Sequence, residues 1–213
     1  HVGNWLIKPR FNGMFERIDN KGEPRQPYGQ TAFDDRYFTR RWMPTLEAKH
    51  YGADGNTWEA FVSYQRFWRS REAFATDLTN LETSPLEFES QDTTTMHSFQ
   101  SRGSGDVWSL GMLKIRTGWD VNHQTLTSQR MSGATKTMSD AALFAQAFWE
   151  SNRFRGQFGL RKAYNTQFAA PFLPSILGRW KNGPQRLRIS YAKGFRAPSL
   201  KELHFRFVDV NHS

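Results

Sequence analysis

Apolar and polar residues alternate with a period of two along most of this chain, most clearly near its end. In 186–191, Leu187, Ile189 and Tyr191 point one way while Arg186, Arg188 and Ser190 point the other, as in a β-strand with two unlike faces. The same period predicts strands at 4–18, 37–51, 57–69, 95–102, 107–121, 140–150, 153–164, 172–181 and 185–196. On the first, Trp5, Ile7, Phe11 and Phe15 oppose Lys8, Arg10, Asn12 and Glu16. In 57–69, Trp58, Ala60, Val62 and Tyr64 oppose Glu59, Ser63 and Gln65. In 153–164, Phe154, Phe158 and Leu160 oppose Arg155, Gln157 and Arg161, and in 172–181 Ile176 and Trp180 oppose Arg179. The alanine-rich 140–150 also has the length of a helix. Its cleanly alternating neighbour, one short turn away at 151–152, favours strand.

The connections follow a rule of their own. Polar stretches at 19–36, 70–94 and 123–139 predict long loops, with Leu78 and Leu81 able to nucleate a short helix in the second. Ala53-Asp54-Gly55-Asn56, Gly103-Ser104-Gly105-Asp106, Ser151-Asn152 and Asn182-Gly183 predict tight turns. Long and short connections in alternation mark an up-and-down antiparallel barrel, here an all-β partial one of about nine strands. The connection at 165–171 is shorter than that rule asks. No fixed-length repeat suggests a propeller or solenoid.

Composition narrows the class. A mean hydropathy of −0.72 and the absence of any long apolar run exclude a spanning helix but not a spanning barrel, whose wet inner row offsets its lipid-facing row. Eighteen Phe, eight Trp and six Tyr suit the aromatic girdles of such barrels, although a soluble β-protein with a Phe-rich core is the rival. The formal charge of +9 comes from Lys and Arg spread over alternate strand positions, with no dense block, so nucleic acid is not expected as a partner. A lumen-facing row that includes Arg155, Arg161, Arg179, Arg186 and Arg188 accounts for it.

The last strand leads into Gly194-Phe195-Arg196-Ala197-Pro198-Ser199-Leu200-Lys201-Glu202-Leu203. Gly194 and Pro198 end the ladder, and 199–207 mixes charge with aromatics as a structured loop does. A strand, this segment and the aromatic stretch to Asn211-His212 resemble the late barrel region of TonB-dependent outer-membrane receptors. Ala142-Leu143-Phe144-Ala145-Gln146-Ala147, Gly159-Leu160-Arg161 and Leu173-Pro174-Ser175 fit the same region, and the resemblance is tightest over 140–212. It implies wall and loops of a Gram-negative outer-membrane importer of a scarce nutrient: a siderophore, haem, cobalamin or similar. The implied partners are outer-membrane lipid, a small nutrient ligand, and the TonB energy-transducing complex through a plug domain. The plug and the strands that should follow the motif are not in this sequence, and 1–213 is expected to be a fragment of the barrel.

The sequence offers little reactive chemistry. With no cysteine, thiol catalysis, disulfides and thiolate metal sites are excluded. No nucleophile elbow, phosphate loop or metal-spaced His pair stands out, so neither enzyme activity nor a cofactor is expected. Asp209 and His212 stand three apart, Asp34-Asp35 reads as a solvated loop pair, and Asp54 with Asn56 reads as a turn. For Arg196 and Glu202 two readings compete: contact with ligand or plug, or structural pairing. In the structural reading, Arg196 meets an acid across the wall and loop amides satisfy Glu202. The functional rivals are a passive pore, which has no plug, and a soluble β-domain binding glycan or nucleic acid, which needs no detergent.

Overall fold

The computed structural model describes residues 3–86, 91–131 and 134–204. They form one 10-stranded antiparallel sheet. The strands are β1 (Trp5–Asn20), β2 (Thr31–Tyr51), β3 (Thr57–Asp77), β4 (Thr83–Pro85), β5 (Asp92–Leu110), β6 (Leu113–Ser128), β7 (Thr135–Glu150), β8 (Phe154–Asn165), β9 (Phe172–Asn182) and β10 (Gln185–Ala192). Each long strand pairs with its neighbours in sequence, and the three-residue β4 folds back beside β3. The order is therefore up-and-down, and the sheet is an unclosed section of barrel: among the described residues β1 and β10 each pair on one side only. A five-residue helix α1 (Leu200–His204) follows β10.

Register places the large apolar side chains on one face. Trp5, Ile7 and Phe11 on β1 share it with Leu46, Trp58, Val62, Phe99, Leu143, Phe158, Ile176 and Ile189, all exposed. From Trp5 to Phe15 this row runs ~33 Å along the strand, or roughly 25 Å in height at the usual barrel tilt, the thickness of an apolar membrane band.

Three expectations fail for one reason: beyond the apolar band the strands are held by polar pairs and close packing, which need no alternation. The expected loops at 19–36, 70–94 and 123–139 are in large part strand, leaving connections at 21–30, 78–91, 129–134 and 166–171. Polar cross-strand pairs hold these extensions. Asp35 receives Arg71 Nε and Nη2 at 3.0 and 3.1 Å, and Ser128 donates to Asp92 at 2.8 Å. The suggested helix at 78–81 is a turn instead, with Leu81 at a φ of 64°.

The predicted turn at 103–106 lies inside β5, and the predicted strand 107–121 is split by the real turn at Gly111-Met112. Gly111 has a φ of 57°, and Leu110 pairs with Leu113, so the positive φ falls on the first central residue of a two-residue hairpin loop. Gly183 repeats this with a φ of 55° between β9 and β10. Gly103 and Gly105 serve another purpose. A Cβ on Gly103 would lie 2.2 Å from Trp119 Cη2, and one on Gly105 would lie 2.0 Å from Trp58 Cε3. The two glycines are seats for indole rings from the flanking strands.

Candidate functional site

The face opposite the apolar row carries most of the ion pairs. Arg10 bonds Glu47 at 3.0 Å between β1 and β2. Asp120 on β6 takes Arg102 from β5 at 2.9 Å and Arg161 from β8 at 3.3 Å. Arg161 reaches across β7 because that strand presents Ala142 opposite Asp120. Near the turn end Asp106, its side chain fully buried, accepts from Thr57 N, Lys114 Nζ and Arg116 Nε, each at 2.9 Å. This carboxylate staples β3, β5 and β6, a role that its place in a Gly-Ser-Gly-Asp run conceals.

The register gathers basic side chains on the same face at the turn end of β8–β10. Arg179 stands directly opposite Arg155 on one side and Arg188 on the other, and Arg186 is opposite Lys181. Glu150 bonds Arg155. Among the described residues no carboxylate pairs with Arg179, Arg186 or Arg188. Like charges placed opposite one another destabilise a sheet, so this row is poised to meet an anion.

At the loop end the 194–203 segment turns back over the polar face. Gly194, Phe195, Arg196, Ala197 and Pro198 have no regular secondary structure, and Lys193 makes the last ladder bond of β10, to Pro174 O at 3.0 Å. Ser199 and Glu202 then form a reciprocal capping box at the start of α1: Ser199 N donates to Glu202 Oε2 at 2.6 Å, and Glu202 N donates to Ser199 Oγ at 3.3 Å. Arg196 Nη2 meets Glu202 Oε1 at 3.0 Å. The Ser199 amide and hydroxyl, with Arg196 behind them, hold the Glu202 carboxyl below the usual carboxylate range. Arg196 thus bonds inside its own loop rather than across the wall.

Leu200, 2% exposed, is the anchor. It packs with Leu126, Met131 and Met138. Leu126 pairs with Met96, and Met96 with Phe67, on the polar face of β6, β5 and β3. Lys201 Nζ lies 5.4 Å from the Phe67 ring centroid, while Leu203 is exposed. Three methionines and two leucines make an apolar island there, scattered over 96–200 in sequence and joined only by register and the fold-back.

Asp34 also differs from expectation. It is 3% exposed on β2, where it accepts from Gly22 N at 3.0 Å, Thr76 Oγ1 at 2.9 Å and Lys21 Nζ at 2.8 Å. Burial pushes its carboxyl up, but these three donors outweigh burial and hold it below the usual range. Asp54 lies in a turn, accepting from Asn56 N at 3.2 Å. Asp209 and His212 lie outside the described residues. Among the described residues no group of three or more His, Cys, Asp or Glu is placed to hold a metal.

A two-faced antiparallel sheet of consecutive strands, with short turns at one end and longer connections at the other, is the wall of an up-and-down barrel. Residues 3–212 match the family described as TonB dependent receptor-like, beta-barrel, and the chain belongs to that family. This is a family of receptors and transporters rather than enzymes, and its barrels reside in the outer membrane. Similar solved structures include the siderophore receptor PirA from Pseudomonas aeruginosa, with a TM-score of 0.48 and 14% identity over 90% of this chain and 44% of that one. The FrpB iron transporter from Neisseria meningitidis (F3-3 variant) gives 0.46 and 13% over 93% of this chain and 44% of that one. The chain thus spans less than half the length of either protein. No curated protein matches it.

Proposed function

We propose that residues 1–213 supply part of the barrel wall and outer loops of a TonB-dependent importer of a scarce nutrient such as a siderophore, haem or cobalamin. The apolar face meets outer-membrane lipid, and the polar face with Arg155, Arg161, Arg179, Arg186 and Arg188 lines the lumen. The plug domain that engages TonB and the remaining wall come from other parts of the receptor. The 194–203 segment is a loop brace on this reading: Leu200 anchors it and Ser199 with Glu202 shapes it. The observation that carries the proposal is the two-faced sheet within the family match, whose apolar row has the height of a membrane band.

Uptake by cells carrying or lacking the full-length receptor tests this. Labelled ferric siderophores, haem and cobalamin are supplied in turn, with and without a working TonB. Uptake of one class should require both the receptor and TonB. Passage that persists without TonB would identify a passive pore.

A further inference from the structure

The apolar face has two unlike borders. At the turn end it finishes in aromatic rings, among them Trp58, Trp149 and Trp180, and in the imidazole of His50 beside Trp5, with no Lys or Arg on that face. At the loop end it finishes in cationic or imidazole side chains: Arg17 on β1, Arg40 on β2, Arg66 on β3, His97 on β5, His123 on β6 and Lys162 on β8. Long basic side chains at such a border reach for water in any case, so position alone decides nothing.

Their bonding separates them. Arg17 Nε is held by Asp19 at 2.8 Å, His97 Nδ1 lies 2.5 Å from Tyr64 Oη, and His123 Nδ1 lies 2.7 Å from Ser139 Oγ. Lys162 Nζ donates to Ala170 O at 3.3 Å. Arg40 and Arg66 remain, both exposed, and no carboxylate pairs with either among the described residues. Arg66 stands opposite Trp42 on one side and His97 on the other, while Arg40 stands opposite Trp68 with its guanidinium 5.4 Å from that ring centroid. The pairs Arg40–Trp68 and Trp42–Arg66 make the two arginines diagonal neighbours across β2 and β3, about 7–8 Å apart at the backbone.

We propose that Arg40 and Arg66 together hold the phosphate of an anionic lipid headgroup in the leaflet on the loop side. The proposal rests on the membrane placement given above. Two guanidinium forks on one face can grip a single phosphate from two sides. Trp42 beside Arg66 and Tyr64 below it, with ring centroids 5.4 Å apart, offer apolar surface to the attached chain. A ligand fitting both features has an anionic head and an apolar tail. A zwitterionic headgroup brings its own cation and gains less from the pair. The bare aromatic border at the turn end predicts no such preference in the other leaflet.

The test uses the full-length receptor in phosphatidylcholine nanodiscs with and without phosphatidic acid. Heat-modifiable gel mobility reports barrel insertion, and native mass spectrometry reports the lipids retained. Inserted wild-type receptor should retain phosphatidic acid over phosphatidylcholine. The Arg40→Gln/Arg66→Gln variant should lose about tenfold of that preference, and the turn-side Arg153→Gln should lose none. Inorganic phosphate should not displace the lipid, and displacement would overturn the lipid assignment. Equal retention of both lipids by inserted wild type, or an unchanged preference in the double variant, overturns the proposal and leaves the barrel reading standing. Failure of wild type to insert overturns both. Should the double variant not fold, the comparison of lipids on wild type decides alone.

Discussion

Gly103 on β5 lies directly under the indole of Trp119 on β6, so close that a Cβ would sit 2.2 Å from Cη2. The missing side chain is what lets the ring lie flat along the apolar face. Gly103→Ala should therefore displace Trp119 and cost about 1–3 kcal/mol. The cost should largely vanish in a Trp119→Ala background, because the clash has one source. Urea unfolding of the detergent-solubilised receptor, followed through a double-mutant cycle, measures both.

Leu200 and Ser199 hold the loop brace by different means. Removing the buried Leu200 side chain should cost about 2–5 kcal/mol, and Ser199→Ala about 0.5–2 kcal/mol through loss of the cap. Both should act locally, since α1 is short and the sheet pairs without it. Faster proteolytic cleavage within 193–204, with an unchanged unfolding midpoint for the barrel, is the expected result.

The row Arg155–Arg179–Arg188 places like charges in register on three strands. Arg179→Gln should stabilise β8–β10 by about 0.2–1 kcal/mol if the row is empty, with a larger gain at low salt. Urea unfolding at two salt concentrations measures it. A loss of stability instead would show that an acidic partner occupies the row.

Ile189 and Ser190 are adjacent on β10 but face opposite ways. Ile189→Arg should cost roughly 2–4 kcal/mol in a bilayer if that face meets lipid near the midplane. Ser190→Arg should cost no more than about 0.5 kcal/mol. The folded fraction of each variant in lipid vesicles gives the comparison, and equal costs would deny that the faces differ.

Asp34 has a lowered folded pKa. Its unfolded value is near the ordinary one, about 4, so its contribution is complete above that pH and is lost as pH falls through the lower folded value. On acidification below about pH 4 the Gly22 amide should lose protection in hydrogen exchange, after correction for the intrinsic rate. In Asp34→Asn that protection should be low already at neutral pH and respond little to acid.

Period-two alternation determined most of the strands that cross the apolar band, the boundary between β5 and β6 excepted, and which face their residues take, because side chains alternate regardless of the neighbouring strand. Leu187 and Arg188 therefore separate correctly from sequence alone, as do Phe154 and Arg155. The 194–203 segment was visible as a motif and as a break in the ladder, since Gly and Pro act through their own backbone. Only the tertiary structure decided what lies across the sheet. Gly103 is a ring seat rather than a turn because Trp119 pairs opposite it, and Asp106 is a staple because Thr57, Lys114 and Arg116 converge on it. Strand extensions beyond the band were hidden because polar pairs on both faces impose no apolar pattern. The apolar island was hidden for a related reason: Met96, Leu126, Met138 and Leu200 meet only once register is set and the chain after β10 folds back. Periodicity is local to a strand, whereas contacts between strands depend on register, which no single strand contains.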